Sequence, residues 1–243
     1  MTTYAARLER IRRLAALDAA ALDLDADARR AVGELWARRA DGELGSAATF
    51  AGLHRDCLAM GLDANVTQLT ARAIDDERFH CELSLLMAEH YLDSRVPSPA
   101  APADPLRFET CAGEVAPALR FLLHCALNET IAVAYLRQCR REGASLLVRA
   151  AVRELLHDEI DHSRVGWAFV AASGNQPAVR DSFCRELPAL LALVSEAWCK
   201  PEATEYPAGH GALKEAGTRA VTHEALQEVV LPGLARFGIE PRR

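Results

Sequence analysis

Two short stretches, Asp76-Glu77-Arg78-Phe79-His80 and Asp158-Glu159-Ile160-Asp161-His162, carry the same chemistry in nearly the same letters. In each, Glu and His stand three apart inside a long helix-compatible run, so both side chains share one face, one turn apart. A carboxylate and an imidazole placed that way can bind one metal ion together. One such pair arises easily by chance. Two pairs are more specific when each has a lone Glu upstream: Glu43 precedes Glu77 by 34 residues and Glu129 precedes Glu159 by 30. One Glu from each of two helices and Glu-x-x-His from each of two others is the ligand pattern of a two-metal carboxylate site in a four-helix bundle.

Helical angles separate these acids from ordinary surface glutamates. At about 100° per residue, Trp36, Ala47, Phe50, His54 and Cys57 fall on the same side as Glu43, which places its carboxylate within an apolar stripe. Glu34 points the opposite way. Glu129 shares a stripe with Leu122, Cys125, Ala132, Val133 and Leu136. Four carboxylates on core faces must either hold protons or neutralise cations. Two divalent ions balance four glutamate charges and leave a neutral cluster.

Asp76 and Asp158 directly precede the two helix-pair glutamates. Because a ligating histidine gives its other N–H to a carboxylate or carbonyl, a crossed arrangement is expected, with Asp76 near His162 and Asp158 near His80. Small or apolar residues next to the ligand layer (Ala47, Phe50, Ala73, Ser84, Ala132, Val133, Leu136 and Gly166) are the pocket candidates. No further catalytic residue is indicated. The other histidines read as outsiders: His157 exposed, His90 and His124 off the metal face, and His54 about three turns from Glu43. His210 and His223 have no assigned place.

The elements that must position these residues are all helical. A first amphipathic helix covers Tyr4 to Leu17, with Leu8, Ile11, Leu14 and Ala15 on one face. Asp25 caps a long helix ending near Gly61, with glycines 33, 42 and 45 inside it and a kink or bulge expected near Glu43. A second long helix opens at Asp63 or Asn65 and runs to about Asp93. Ser94 to Pro105, with four prolines, is the clearest linker and suits a long crossover between two halves of a bundle. A short element is expected at Leu106 to Cys111. The third long helix spans about Glu114 to Arg141 and the fourth about Ser145 to Ser173. A fifth runs to Lys200 with Pro188 bending or splitting it. Pro201 to Gly211 is a loop, and Ala212 to Phe237 is helical with an interruption near Pro232. From each upstream Glu to the turn and back, the residue counts nearly match, so at ~1.5 Å per residue all six side chains can meet in one layer.

The chain of 243 residues is half hydrophobic and poor in aromatics, which reads as one all-α domain, 1–243, with a bundle at 26–173 and a helical extension at 174–243. A net charge of −6 without a basic cluster argues against nucleic acid. No apolar run approaches the ~20 residues of a membrane span, and Met1-Thr2-Thr3-Tyr4 lacks the core of a signal peptide, so a cytoplasmic protein is expected. Seven scattered cysteines without a C-x-x-C pair fit buried thiols in a reducing compartment.

The arrangement resembles the ferritin-like diiron-carboxylate superfamily over roughly residues 26 to 173. Taken residue by residue, that superfamily's ligand positions match Glu43, Glu77, His80, Glu129, Glu159 and His162. The resemblance implies a ferritin-like four-helix bundle with a long crossover between its second and third helices, flanked by an N-terminal helix and extra C-terminal helices. It does not single out one member. Where ribonucleotide reductase small subunits look for a tyrosine this chain has Ser84, and where para-aminobenzoate N-oxygenases carry an additional histidine it has Leu155.

The resemblance implies two iron ions as cofactor, with manganese or a mixed iron–manganese pair using the same ligands. It implies an oxidoreductase that reduces O₂ and oxidises a small organic substrate, with an electron-donor protein as a further partner and a monomer or homodimer as the assembly. A ferroxidase that handles iron and a manganese site that disproportionates hydrogen peroxide are the alternatives. A closed apolar tunnel ending at the metals favours the oxygenase; a short polar path to solvent favours the other two.

Overall fold

The computed structural model describes residues 3–21, 23–100, 115–173, 176–201 and 205–242. The short element expected at 106–111 and part of the proline-rich linker lie outside them. Every regular element among the described residues is helical: α1 (Tyr4–Ala15), α2 (Ala26–Met60), α3 (Ala64–Leu92), α4 (Val115–Glu142), α5 (Leu146–Ser173), α6 (Pro177–Cys199) and α7, which runs Glu215–Glu224 and on through Leu231–Ala235.

The ends of these helices follow from local chemistry. The Asp25 carboxylate accepts the Ala28 N–H at 2.8 Å and Asp63 accepts that of Asn65 at 2.8 Å, each satisfying an orphan donor of a first turn. Gly61 closes α2 with φ of 62°, and Leu62 N–H returns to the Cys57 carbonyl at 3.0 Å. The chain thereby reverses in three residues, and α2 and α3 pack against each other along most of their length. Helices α4 and α5 form a second hairpin turning at Gly143–Ser145. The hairpins join through α3 against α5, while α2 meets α4 mainly at the Val115–Arg120 end. Helix α1 lies across α3 and α5, and α6 and α7 pack against α4.

Three details differ from the sequence expectation. Helix α2 stays regular past Gly42 and Gly45, and the irregularity sits instead in α4, where Phe121–Asn128 is π-helical just ahead of Glu129. Pro188 does not split α6, which is continuous from Pro177 to Cys199. Residues Ala212–Leu213 are buried but not helical, and the break in α7 is a π-helical turn at Ala225–Val230 preceding Pro232.

Helix α4 is also long and apolar enough to cross a membrane by length and composition, which counting uninterrupted apolar residues missed because charges such as Glu129 break the run. Its most apolar window is 78% buried by the rest of the chain, as expected for a core helix. The core has two parts, one around Phe50, Phe121, Phe169 and Phe183, the other around Trp36, Phe79, Tyr91 and Leu155. The C-terminal loop is clasped to the second. Trp36 Nε1 donates to the His210 carbonyl at 2.9 Å, the Tyr91 hydroxyl lies 2.8 Å from His210 Nδ1, and Ala144 N–H donates to the Gly209 carbonyl at 2.8 Å. Gly211, at φ of 108°, lies so close under Trp36 that a Cβ would be 2.2 Å from the indole.

Candidate metal centre

Glu77, His80, Glu129, Glu159 and His162 are buried, and Glu43 is half-buried beside them. They fall into two overlapping groups. Glu43, Glu77, His80 and Glu159 form one, Glu129, Glu159 and His162 the other, and within each the donor atoms lie within 4.8 Å of one another. Helices α2, α3, α4 and α5 thus bring the six sequence candidates into one layer.

The two halves mirror each other. Glu77 sets Oε2 3.3 Å from His80 Nδ1 and Oε1 3.3 Å from His162 Nδ1. Glu159 does the converse, with Oε1 3.4 Å from His80 Nδ1 and Oε2 3.1 Å from His162 Nδ1. Each of these carboxylates spans both imidazoles, as a bridging ligand must, while Glu43 and Glu129 stand at the two ends. Both histidines turn Nδ1 inward, and both turn Nε2 outward onto an aspartate: His80 onto Asp158 Oδ2 at 3.2 Å, His162 onto Asp76 Oδ2 at 3.4 Å. An imidazole held by one nitrogen in this way presents the other at a fixed angle.

The aspartates are held in turn by residues that the sequence reading did not include. Tyr4 donates its hydroxyl to Asp76 Oδ1 at 2.6 Å. Arg7, itself buried, donates from Nη2 to Asp158 Oδ2 at 2.6 Å and from Nε to Glu154 Oε2 at 2.6 Å. Its guanidinium lies 4.1 Å over the Phe79 ring. Arg72 Nε reaches Asp76 Oδ2 at 3.4 Å. A signal was available in α1: Tyr4, Arg7 and Ile11 share the spacing of one helix face, so the apolar stripe carries a phenol and a guanidinium at its N-terminal end.

His124 is the other omission. On a regular helix it points away from Glu129. In the π-helical turn, however, the Glu129 N–H bonds to the His124 carbonyl, five residues back, which brings the two side chains onto one face. His124 Nε2 lies 3.2 Å from Glu129 Oε1. Phe50 packs between the rings, its centroid 4.8 Å from His124 and 4.9 Å from His162.

Burial and neighbouring charge set which groups of the cluster favour a proton. Burial, with Glu77 next to it, raises the Glu43 carboxyl to about 8. Burial and the neighbouring Glu159 and Glu77 hold Glu129 well above the usual carboxylate range. Burial pushes Glu77 and Glu159 the same way, but hydrogen bonds from the two imidazoles outweigh it and keep both ionised. Burial likewise disfavours charge on His80 and His162, yet their carboxylate partners raise both well above the ordinary histidine value. Two ionised glutamates then face two imidazolium rings, with Glu43 and Glu129 neutral, and the layer carries no net charge. Two divalent ions in place of four protons leave that balance unchanged. Four carboxylates and two ring nitrogens, with both Nδ1 atoms aimed inward, therefore fit a pair of cations.

Beside the layer lies a cavity of about 440 Å³. Glu43, Glu129 and Glu159 form its floor on the ligand layer, and Leu35, Arg38, Arg39, Ala132, Tyr135 and Leu136 line it together with Trp198, Lys200, Tyr206, Glu215 and Thr218 from the C-terminal segment. Of the eight pocket candidates, only Ala132 and Leu136 line this space. Ala47, Phe50, Ala73 and Ser84 are packed in the interior and Val133 lies half-buried against the second core cluster. Gly166 is small for another reason: a Cβ there would lie 2.3 Å from Ala126 N and from the Cys125 carbonyl carbon, so α5 meets the π-helical turn backbone to backbone. The open side of the layer lies between α2 and α4, whose small and apolar faces the sequence could not tell from close packing.

The remaining histidines serve the scaffold or the surface. His54 Nδ1 is 3.1 Å from the Thr67 carbonyl, linking α2 to α3. His90 Nε2 is 3.3 Å from Asp18, His157 is exposed with Nδ1 2.9 Å from Asp158 Oδ1, and His223 is exposed. Comparison of the chain with protein-family models, curated proteins and solved structures finds no match.

Proposed function

We propose that this chain is a dimetal-carboxylate oxidoreductase of the ferritin-like kind, which uses O₂ to oxidise a small organic molecule. The observation that carries this reading is the cavity. It lies between α2, α4 and the C-terminal segment, and it reaches the carboxylates of three of the six candidate ligands. A protein that only oxidised and stored iron would need a path for ions, not a chamber walled by Leu35, Leu136, Tyr135 and Trp198.

In this reading Glu43, Glu77, His80 and Glu159 would hold one ion, and Glu129, Glu159 and His162 the other. A bound pair of iron ions supplies the reductive activation of O₂. The rest belongs to the chain. Asp158 and Asp76, pinned by Arg7 and Tyr4, fix the tilt of His80 and His162. Leu35, Leu136, Tyr135 and Trp198 supply apolar surface beside the layer. The open side between α2 and α4 holds the substrate against the ligand layer. Reduction of O₂ to water takes four electrons, so a two-electron oxidation of the substrate requires two more from a donor protein.

Elemental analysis of the purified chain tests the proposal. About two ions of iron or manganese per chain are expected, and Glu129→Ala should lose much of that content. Mixing the reduced protein with O₂ should give a transient absorbing species whose decay a substrate accelerates. Full metal occupancy in Glu129→Ala would mean that the wrong residue has been chosen on α4. A second reading, iron oxidation for storage, draws support from Glu43 being half-buried at a cavity that opens to solvent. Uptake of many irons per chain would decide for it.

A further inference from the structure

We propose that the molecule held in this cavity is a small organic acid, a monoanion with an apolar body, docked through its carboxylate on Arg39; the proposal rests on the dimetal reading above. The cavity limits the size. Scaling from a cavity of about 150 Å³ that holds benzene, 440 Å³ admits roughly 18 non-hydrogen atoms, a ring with a side chain. Its sides are largely apolar, so the body of the ligand gains by burial there.

Arg39 supplies the polar anchor. Its Nη2 donates to the Gly211 carbonyl at 3.0 Å, and its guanidinium lies 4.6 Å over the Trp36 ring. Held by one acceptor and one ring face, the rigid fork keeps further N–H groups for the cavity it lines, the geometry that pairs with a carboxylate in two parallel hydrogen bonds. Arg38 and Lys200 also line the cavity. The lining acid Glu215 is engaged by Arg219, whose Nη2 lies 2.8 Å away. The floor glutamates are neutralised when cations bind. Among the described residues, the lining that remains combines basic side chains with apolar ones.

The spacing also fixes direction. Arg39 and Glu43 are four residues apart on α2, just over one turn and about 6 Å along the axis. A carboxylate on Arg39 therefore sits one turn away from the ligand layer, and the ligand's far end reaches the floor. The oxidised position is then several bonds from the acid group, and the carboxylate is not itself a metal ligand.

The test uses the full chain loaded with zinc(II), with 4-phenylbutyrate, 4-phenylbutanol and 4-phenylbutylamine as probes of equal length, titrated calorimetrically. Zinc content is measured on the same samples. The acid should bind about tenfold or more tightly than the alcohol, and the amine most weakly, as expected for one charge-assisted fork. Arg39→Gln should remove the preference for the acid while the alcohol binds as before. Arg39→Lys, which keeps the charge and loses the fork, should retain part of it. An alcohol or amine that binds as tightly as the acid overturns the proposal, as does a preference that survives Arg39→Gln or the failure of all three probes to bind. If Arg39→Gln does not fold, unchanged acid affinity in Arg39→Lys overturns it and a selective loss of acid affinity supports it. A chain that takes up no zinc yet still prefers the acid would sink the dimetal reading and leave the acid site standing.

Discussion

His124 and Glu129 are joined twice, through the backbone bond from the Glu129 N–H to the His124 carbonyl and through the 3.2 Å approach of Nε2 to Oε1. The π-helical turn makes both contacts possible, and Gly166 makes room for the turn. His124 thereby stands against the carboxylate at one end of the layer. His124→Phe keeps a ring against Phe50 but loses the nitrogen. It should weaken the binding of one of two metal ions by about 10–100-fold, the range for removing a group that orients a ligand. A two-step metal titration checks this, and two unchanged steps would refute the role.

Gly166→Ala tests the same turn from the other side. Its Cβ would meet the backbone of Cys125 and Ala126 at 2.3 Å, and backbone cannot move aside cheaply. A loss of about 1–3 kcal/mol in unfolding free energy is expected from overpacking. Metal content should fall with it, because α4 carries Glu129. Stability lost with metal content intact would separate packing from the site.

Metal binding should release protons. The surroundings of four groups, His80, His162, Glu43 and Glu129, favour the protonated form, and each must give up its proton to coordinate. Their folded values are raised, so the apparent affinity should increase with pH through neutrality and fall as acid restores the protons. Calorimetry in buffers of different ionisation enthalpy should give about four protons per two ions. Release of one or none would contradict the exchange of four protons for two cations.

Arg7 links α1 to the layer through Asp158. Removing one partner of a buried ion pair costs about 3–5 kcal/mol, so Arg7→Met should unfold at markedly lower denaturant. The Asp158 carboxyl is held far below its ordinary value: burial opposes this, but His80 and Arg7 outweigh it. A depressed carboxyl stabilises the fold above its unfolded value of about 3.9 and loses that contribution as pH falls below it. The variant should therefore lose stability less steeply with acid than the parent does. Tyr4→Phe, which removes one hydrogen bond to Asp76, should cost less, about 1–2 kcal/mol.

The sequence showed the helices and the six inward side chains because both follow from period and charge. An isolated carboxylate in an apolar stripe, as at Glu43, needs a reason that one chain segment can reveal. The histidine-to-aspartate crossing was legible for the same reason, since Asp76 and Asp158 adjoin the glutamates. What escaped depends on departures from regular geometry or on distant packing. A uniform 100° step cannot show a π-helical turn, so His124 was turned the wrong way. The small residues Ala73, Ser84 and Gly166 look identical whether they line a cavity or let helices touch. Arg7 and Trp198 become part of the site only when α1 and α6 fold back, and no local pattern marks where they dock.

The clasp at Gly209–Gly211 has a consequence for how this molecule can change. The residues that would hold the cations come from four consecutive long helices, whereas one side of the chamber is borne by a tail pinned to Trp36, Tyr91 and Ala144. Part of the cavity wall thus lies outside the helices that carry the candidate ligands. Substitutions around Trp198, Lys200 and Tyr206 can reshape what is admitted, while the inner carboxylates and imidazoles keep their places.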